Sequence, residues 1–190
     1  GAKGADVEVS LQYSLDGENW SDSIAAIQKT DVTPQTTVYV KASAAGYADK
    51  TATSTVQIDP AEIAVVAADK STAFGEDDPA LTYTNGAAQN GEVPAFAGEL
   101  TRQPGEAVGH YGIAQGTLAL ADSGAFKASN YEIKFTDGDF EITTSDALQL
   151  TLAPYQGDYD GQPHTATVTK ATGAKGADVE VSLQYSLDGE

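Results

Sequence analysis

The chain has 190 residues, 28 Asp and Glu against 10 Lys and Arg, a net charge of −18, and neither cysteine nor methionine. The cations are scattered without a basic stripe, which argues against nucleic acid and anionic lipid as partners, and no apolar run approaches the ~20 residues of a membrane span. With no thiol there is no disulfide framework and no thiol chemistry, so the chain must fold on packing alone.

Residues 1–18, GAKGADVEVSLQYSLDGE, recur letter for letter as residues 173–190, an offset of 172. The chain therefore reads as one full period plus the first 18 residues of the next, and a repeat array buries its core module by module. Inside the first copy, Val7, Val9, Leu11 and Tyr13 alternate with Glu8, Ser10 and Gln12, the period of a half-buried strand. SDSIAAIQK at 21–29 is the sole candidate for a short turn of helix. Further strands are predicted near 36–42, 50–58, 61–68, 80–84 and 110–121. The stretch YEIKFT-DG-DFEIT, from Tyr131 to Thr143, predicts a hairpin around Asp137-Gly138, a dipeptide suited to φ > 0 at both positions. That register sets Phe135 opposite Phe140 and Ile133 opposite Ile142. Strands near 147–152 and 164–170 follow. Short strands punctuated by Gly, Asp and Pro point to an all-β fold of antiparallel, immunoglobulin-like β-sandwich modules.

A fainter register divides the period in two. DPAEIAVVAADKSTAFGEDDPALTYT from Asp59 and SDALQLTLAPYQGDYDGQPHTATVT from Ser145 share a leading strand, an aromatic, an acidic Gly-containing turn, a proline and a second alternating strand. Residues 59–144 thus read as a complete module. Residues 1–58 read as the C-terminal part of a second kind of module, and 145–190 as the N-terminal part of the next copy of it, with 173–190 duplicating 1–18. The linkers are short, and Pro60 stiffens the joint at Asp59.

The central module, with AEIAVVAADKSTAFGEDDPALTYT, GELTRQPGEAVGHYGIAQGTLAL and NYEIKFTDGDFEIT, resembles the MBG domain of bacterial surface proteins, of the Tyr-Gly type, with Phe74 in place of the usual tyrosine. The other module, with YDGQPHTATV and LQYSLDGENWSDS, resembles the immunoglobulin-like and YDG-type repeats of the same proteins. The resemblance implies tandem sandwich modules forming an elongated rod in a secreted or cell-wall adhesin, and it brings no catalytic residues.

The residues themselves point the same way. Glu76, Asp77 and Asp78, with Asp137, Asp139, Asp158 and Asp160, could gather as calcium ligands, yet solvated turns account for them and no calcium-loop pattern is present. His110 and His164 have no second nitrogen or thiol ligand near them in sequence. No nucleophile elbow or Gly-rich phosphate loop occurs, so no enzyme, cofactor, metal or catalytic residue is expected. Lys41, Lys70 and Lys134 show no pattern pairing them with a buried acid and an amide for an isopeptide crosslink. Asn19-Trp20-Ser21 reads as turn chemistry. Tyr13, Trp20, Tyr39, Tyr47, Phe74, Tyr83, Phe96, Tyr111, Tyr155 and Tyr159 are expected mostly in the core, Trp20 as an anchor.

The function that follows is a rigid extracellular spacer that projects a distal binding domain. The alternative is a repeat module that itself binds glycan or host protein with avidity. The expected partners are neighbouring repeats, head to tail, with Asp146 to Glu190 of one chain pairing with the 1–58 segment of another. Folding on packing alone predicts a melting temperature indifferent to reductant and lowered by less than ~10 °C in EDTA. A larger drop in a melt would reveal an ion site, since such a shift exceeds a kcal/mol in a domain of this size.

Overall fold

The computed structural model of the chain describes residues 7–186. The fold is all-β: among the described residues fourteen strands form several sheets, and the helical content is limited to single 3-10 turns. One of these, Ile24–Ile27, occupies the 21–29 candidate, with the Ser23 hydroxyl accepting from the Ala25 N–H at 3.3 Å.

The first three strands, β1 (Val9–Ser14), β2 (Thr33–Ala44) and β3 (Lys50–Ile58), form an antiparallel meander in that order. β1 runs against β2 from Val9↔Ala44 to Ser14↔Tyr39. The turn after β1 is built by Asp16, whose carboxylate accepts from the Ser14 hydroxyl, the Glu18 and Asn19 N–H groups and the Asn19 amide at 2.7–2.8 Å. These donors, led by Asn19, hold its carboxyl well below the usual carboxylate range. The half-buried β1 read from the sequence is corrected, because Val9 and Leu11 are 55% and 43% exposed.

The central segment contributes β4 (Ala61–Ala67), β5 (Lys70–Ala73), β6 (Tyr83–Asn85), β7 (Phe96–Ala97), β8 (Thr101–Arg102), β9 (Gly109–Ala114), β10 (Ala119–Leu120), β11 (Tyr131–Thr136) and β12 (Gly138–Thr143). They form sheets in the orders β11-β4-β6 and β5-β12-β9-β8, with β10 beside β7. Alternation in β4 is strict: Ile63, Val65 and Ala67 are buried while Glu62, Ala64 and Val66 are exposed.

The expected hairpin at Asp137-Gly138 does not form. β12 pairs antiparallel with β9, placing Phe140 opposite Tyr111, and parallel with β5, placing Phe140 opposite Lys70, while β11 belongs to the other sheet. Neither Asp137 nor Gly138 has the positive φ that the two-residue turn requires. Gly138 is already in strand conformation, where an added Cβ would lie 3.1 Å from the Ala67 Cβ. The alternation survives, since Phe140 and Ile142 are buried, but it serves a strand that changes sheets. The predicted 110–121 strand is likewise broken by the turn after Ala114, where the Leu118 N–H donates to the Gln115 carbonyl at 3.1 Å.

The last strands are β13 (Gln149–Ala153) and β14 (Thr167–Thr172), an antiparallel pair with a register shift between Thr151 and Leu152. Leu148, Leu150 and Leu152 stay 53%, 47% and 54% exposed. Beyond β14 lies the duplicated sequence. Val181–Ser186 repeats Val9–Ser14, yet carries no strand where the first copy forms β1.

The chain divides into two compact units, one comprising the chain up to Ile63 with Gly86–Phe96 and Ala119–Lys134, the other Ala64–Asn85, Ala97–Leu118 and the chain from Phe135 onward. In the first, Phe126 is buried and stacks on Tyr131 at 4.8 Å between centroids, and the Tyr131 hydroxyl donates to Glu92 at 2.8 Å. In the second, Ala67, Ile113, Phe140 and Ile142 form the core, packed by Leu81, Leu100, Tyr111 and Phe135. The core aromatics are therefore Phe126, Tyr131 and Phe140. None of the ten aromatics expected there is fully buried, and Trp20 is half-buried with the Lys41 ammonium 4.7 Å from its ring centroid.

Arg102 closes this second core. Its guanidinium lies 4.9 Å from the Phe140 ring centroid and donates to Asp78, to Glu106 at 2.9 Å, and to the Gln103 and Gly105 carbonyls at 3.0 and 2.7 Å. A planar fork of donors over an aromatic face is a geometry that lysine cannot reproduce. In chemical denaturation Phe140→Ala is expected to cost ~3–5 kcal/mol. Arg102→Lys is expected to cost about 2 kcal/mol despite keeping the charge.

Candidate functional site

Strand β5 ends at Ala73, and the chain turns at Phe74 and Gly75, with the Glu76 N–H donating to the Ala73 carbonyl at 3.0 Å. Phe74 is tied to the end of β12 through its N–H and the Thr143 carbonyl at 2.9 Å. Gly75 sits at φ +83°, which a side-chain-bearing residue rarely adopts. A Cβ there would also meet the Ala174 Cβ at 2.7 Å. This close approach lets the Gly173–Ala177 turn, closed by the Gly173 N–H on the Ala177 carbonyl at 2.8 Å, lie against the Phe74-Gly75 turn.

Lys175 then reaches Asp77 at 2.6 Å, and this hydrogen bond raises the lysine's pKa. Beside the ion pair is a cleft of about 500 Å³ lined by Phe74, Val108, Leu148 and Val179, four apolar side chains each at least 41% exposed.

A second cleft, of about 430 Å³, lies within the first unit among Asp31, Ile58, Gln89, Lys127, Asn130 and Tyr131. Its centre is Asp31, which accepts from Lys127 and from the Asn130 amide, both at 2.8 Å. Asn130 accepts in turn from the Val32 N–H at 2.9 Å. The Asn130 hydrogen bond, then Lys127, lowers the pKa of Asp31, while Asp31 raises that of Lys127. Both groups are held charged, and a protonated amine is no nucleophile, so this trio is an ion-pair joint and is not poised for amide crosslinking.

The residues considered for metal binding are distributed among separate partners. Asp77 faces Lys175 and Asp78 faces Arg102. Asp139 accepts from His110 at 2.7 Å. Asp160 pairs with His164 at 2.9 Å, and His164 stacks on Tyr155 at 3.9 Å between centroids. Among the described residues no group of three or more His, Asp or Glu side chains gathers as a ligand set. Lys134 is paired with Glu62 at 3.0 Å, Lys41 lies over Trp20, and Lys70 opens β5. The Asn19 side chain is spent on Asp16. The Asp31–Lys127–Asn130 cluster was missed because its members lie 96 and 99 residues apart, with no local motif to join them.

The strands around Arg102, the Phe74-Gly75 turn and the β4-to-β12 frame lie in one stretch of sequence. Residues 63–141 match the MBG domain (YGX type). The MBG match begins within β4 and ends within β12, with Phe74 where the Tyr-Gly signature would have tyrosine. The MBG domain is a non-catalytic repeat domain found in bacterial surface proteins. No curated protein and no solved structure matches the chain. No helix among the described residues is long and apolar enough to cross a membrane.

Within the MBG segment, the hydrogen bond from His110 to Asp139 raises the histidine's pKa above the ordinary 6.5. A group whose pKa is raised on folding contributes stability that is complete below the unfolded value and is lost as pH rises through the folded one. An NMR titration should therefore place the His110 midpoint above 6.5, and Asp139→Asn should lower it. The difference in melting temperature between wild type and this variant should shrink as pH rises through that midpoint.

Proposed function

We propose that the chain is a stalk segment of a secreted or cell-wall bacterial adhesin, in which MBG and immunoglobulin-like modules alternate and act as a rigid spacer for a distal binding domain. The observation that carries this reading is the letter-for-letter recurrence of 18 residues at an offset of 172, which marks homogenised tandem copies, combined with an MBG match inside the period. Copy number then sets reach without any new contact having to evolve. The net charge of −18 keeps identical modules soluble and apart. The ion pairs Asp31–Lys127 and Asp77–Lys175 join residues on either side of the expected boundaries at 58–59 and 144–145, as a stiffened joint requires.

Small-angle scattering on one, two and three periods tests this. A spacer gives a maximum dimension that grows by a constant increment per period. A compact profile, whose dimension rises only as the cube root of mass, would remove the spacer reading.

A further inference from the structure

Proline follows aspartate twice in the chain, at Asp59-Pro60 and at Asp78-Pro79. The pairing carries chemistry of its own. An aspartate carboxylate lies one methylene from its Cα, so attack on the residue's own carbonyl carbon closes a five-membered ring without any encounter with a second molecule. The leaving group is a tertiary amide nitrogen, which departs as a secondary amine once it takes a proton. Both requirements are met in mild acid, where ionised carboxylate and available protons coexist.

The two sites differ in what holds the carboxylate. Asp78 accepts from the Arg102 guanidinium, a charge-assisted bond. Arg102 is itself anchored on Glu106 and on the Gln103 and Gly105 carbonyls, so Asp78 cannot swing onto its own carbonyl without giving up an immobile partner. Asp59 has one bond among the described residues, from the neutral Gln57 amide to its Oδ1 at 2.7 Å, and Gln57, Asp59 and Pro60 are all exposed. Its Oδ2 has no partner there. The proline biases Asp59 toward extended backbone. Water reaches the bond from the cleft that Asp59 lines with Asp31, Glu92, Lys127 and Tyr131. Of these neighbours Lys127 is committed to Asp31 and Tyr131 to Glu92, which leaves the Asp59 carboxylate free to move.

We propose that Asp59-Pro60 is a self-cleaving bond, at which the folded chain opens in mild acid while Asp78-Pro79 is spared. Asp59 Oδ2 attacks the Asp59 carbonyl carbon and forms the C–O bond of a cyclic anhydride. The C–N bond to Pro60 breaks, and the Pro60 nitrogen takes a proton from solvent to become a secondary-amine terminus. Water then opens the anhydride, restoring the Asp59 side chain and leaving a C-terminal carboxyl. The net reaction is hydrolysis of one peptide bond. It falls beside the expected boundary at 58–59, whereas the boundary at 144–145 has no Asp-Pro pair, so only one of the two joints can break this way. After the cut Asp31 still meets Lys127 and Asn130, and the two pieces are joined by hydrogen bonds and packing in place of a covalent link. Cleavage is independent of reach, and its failure would leave the scattering increment per period untouched.

The test incubates the full chain at about pH 5, within about a unit of the ordinary aspartate value, and reads intact masses under denaturing conditions. Fragments 1–59 and 60–190 should accumulate about tenfold faster than 1–78 and 79–190. In guanidinium chloride at the same pH, where Arg102 no longer holds Asp78, the two bonds should be cut at similar rates. Asp59→Glu keeps the charge but would close a six-membered ring, and it should suppress the 1–59 fragment while circular dichroism stays unchanged. Equal cutting of the two bonds in the folded chain, preferential cutting at Asp78-Pro79, a wild-type rate after Asp59→Glu, or no cut at Asp59-Pro60 would each overturn the proposal.

Discussion

The MBG segment depends on a cation held over an aromatic ring. Phe140 occupies the strand that β5 and β9 flank, so its ring is the point through which both neighbours feel the core. Arg102 covers the ring with a side chain only 13% exposed and spends its donors on Asp78 and on the loop that follows β8. Its pKa is raised, first by the Asp78 hydrogen bond, so the charge is never in question. The Asp78 anchor also fixes the far end of the Phe74–Asp78 turn, whose near end is fixed by Thr143. A turn pinned at both ends can present Gly75 and Asp77 to another segment without ordering itself first, and that removes much of the entropy cost of docking.

The two clefts show how a chain poor in buried apolar surface joins its parts. Each holds one ion pair: Asp31 is fastened by Lys127 and Asn130, and Asp77 by Lys175 above the close Gly75 contact. Exposed ion pairs are screened and contribute little free energy, so their role here is orientation. The many acidic residues are accordingly used one at a time, each with its own cation or turn, and are not pooled.

Much of this was legible in the sequence where the signal is local. Alternation located β4 and the inward faces of Phe140 and Ile142, the strands at 50–58 and 61–68 fell where Gly and Pro punctuate the chain, and the MBG segment declared itself by its motifs. The Asp137-Gly138 hairpin misled because Asp-Gly specifies a turn only if the flanking strands pair with each other. Here β12 finds β5 and β9 instead, with Phe140 opposite Lys70 and Tyr111, partners that no local turn signal announces. The aromatic core was misjudged for a related reason: alternation applies only inside strands, and the exposed Tyr47, Phe74 and Tyr159 lie in turns and connecting segments outside them. Arg102 and the Asp31 cluster left no sequence trace, because their partners are brought in by the fold. The two copies of VSLQYS make the limit explicit, since the same six residues form a strand as Val9–Ser14 and carry none as Val181–Ser186.

The pairing of β12 with β5 bears on mechanical load. β5 stands near the start of the MBG segment and β12 at its end, and the two run parallel, from Phe140↔Lys70 to Thr143↔Ala73. Tension on a tethered chain pulls the N-terminal side of β5 one way and the C-terminal side of β12 the other. Between parallel neighbours that tension slides one strand along the other and loads all the rungs at once. In a terminal hairpin it would unzip them singly. The sheet order that defeated the expected hairpin is therefore one that sets the short β5–β12 ladder in shear, the geometry in which its rungs share a pulling load.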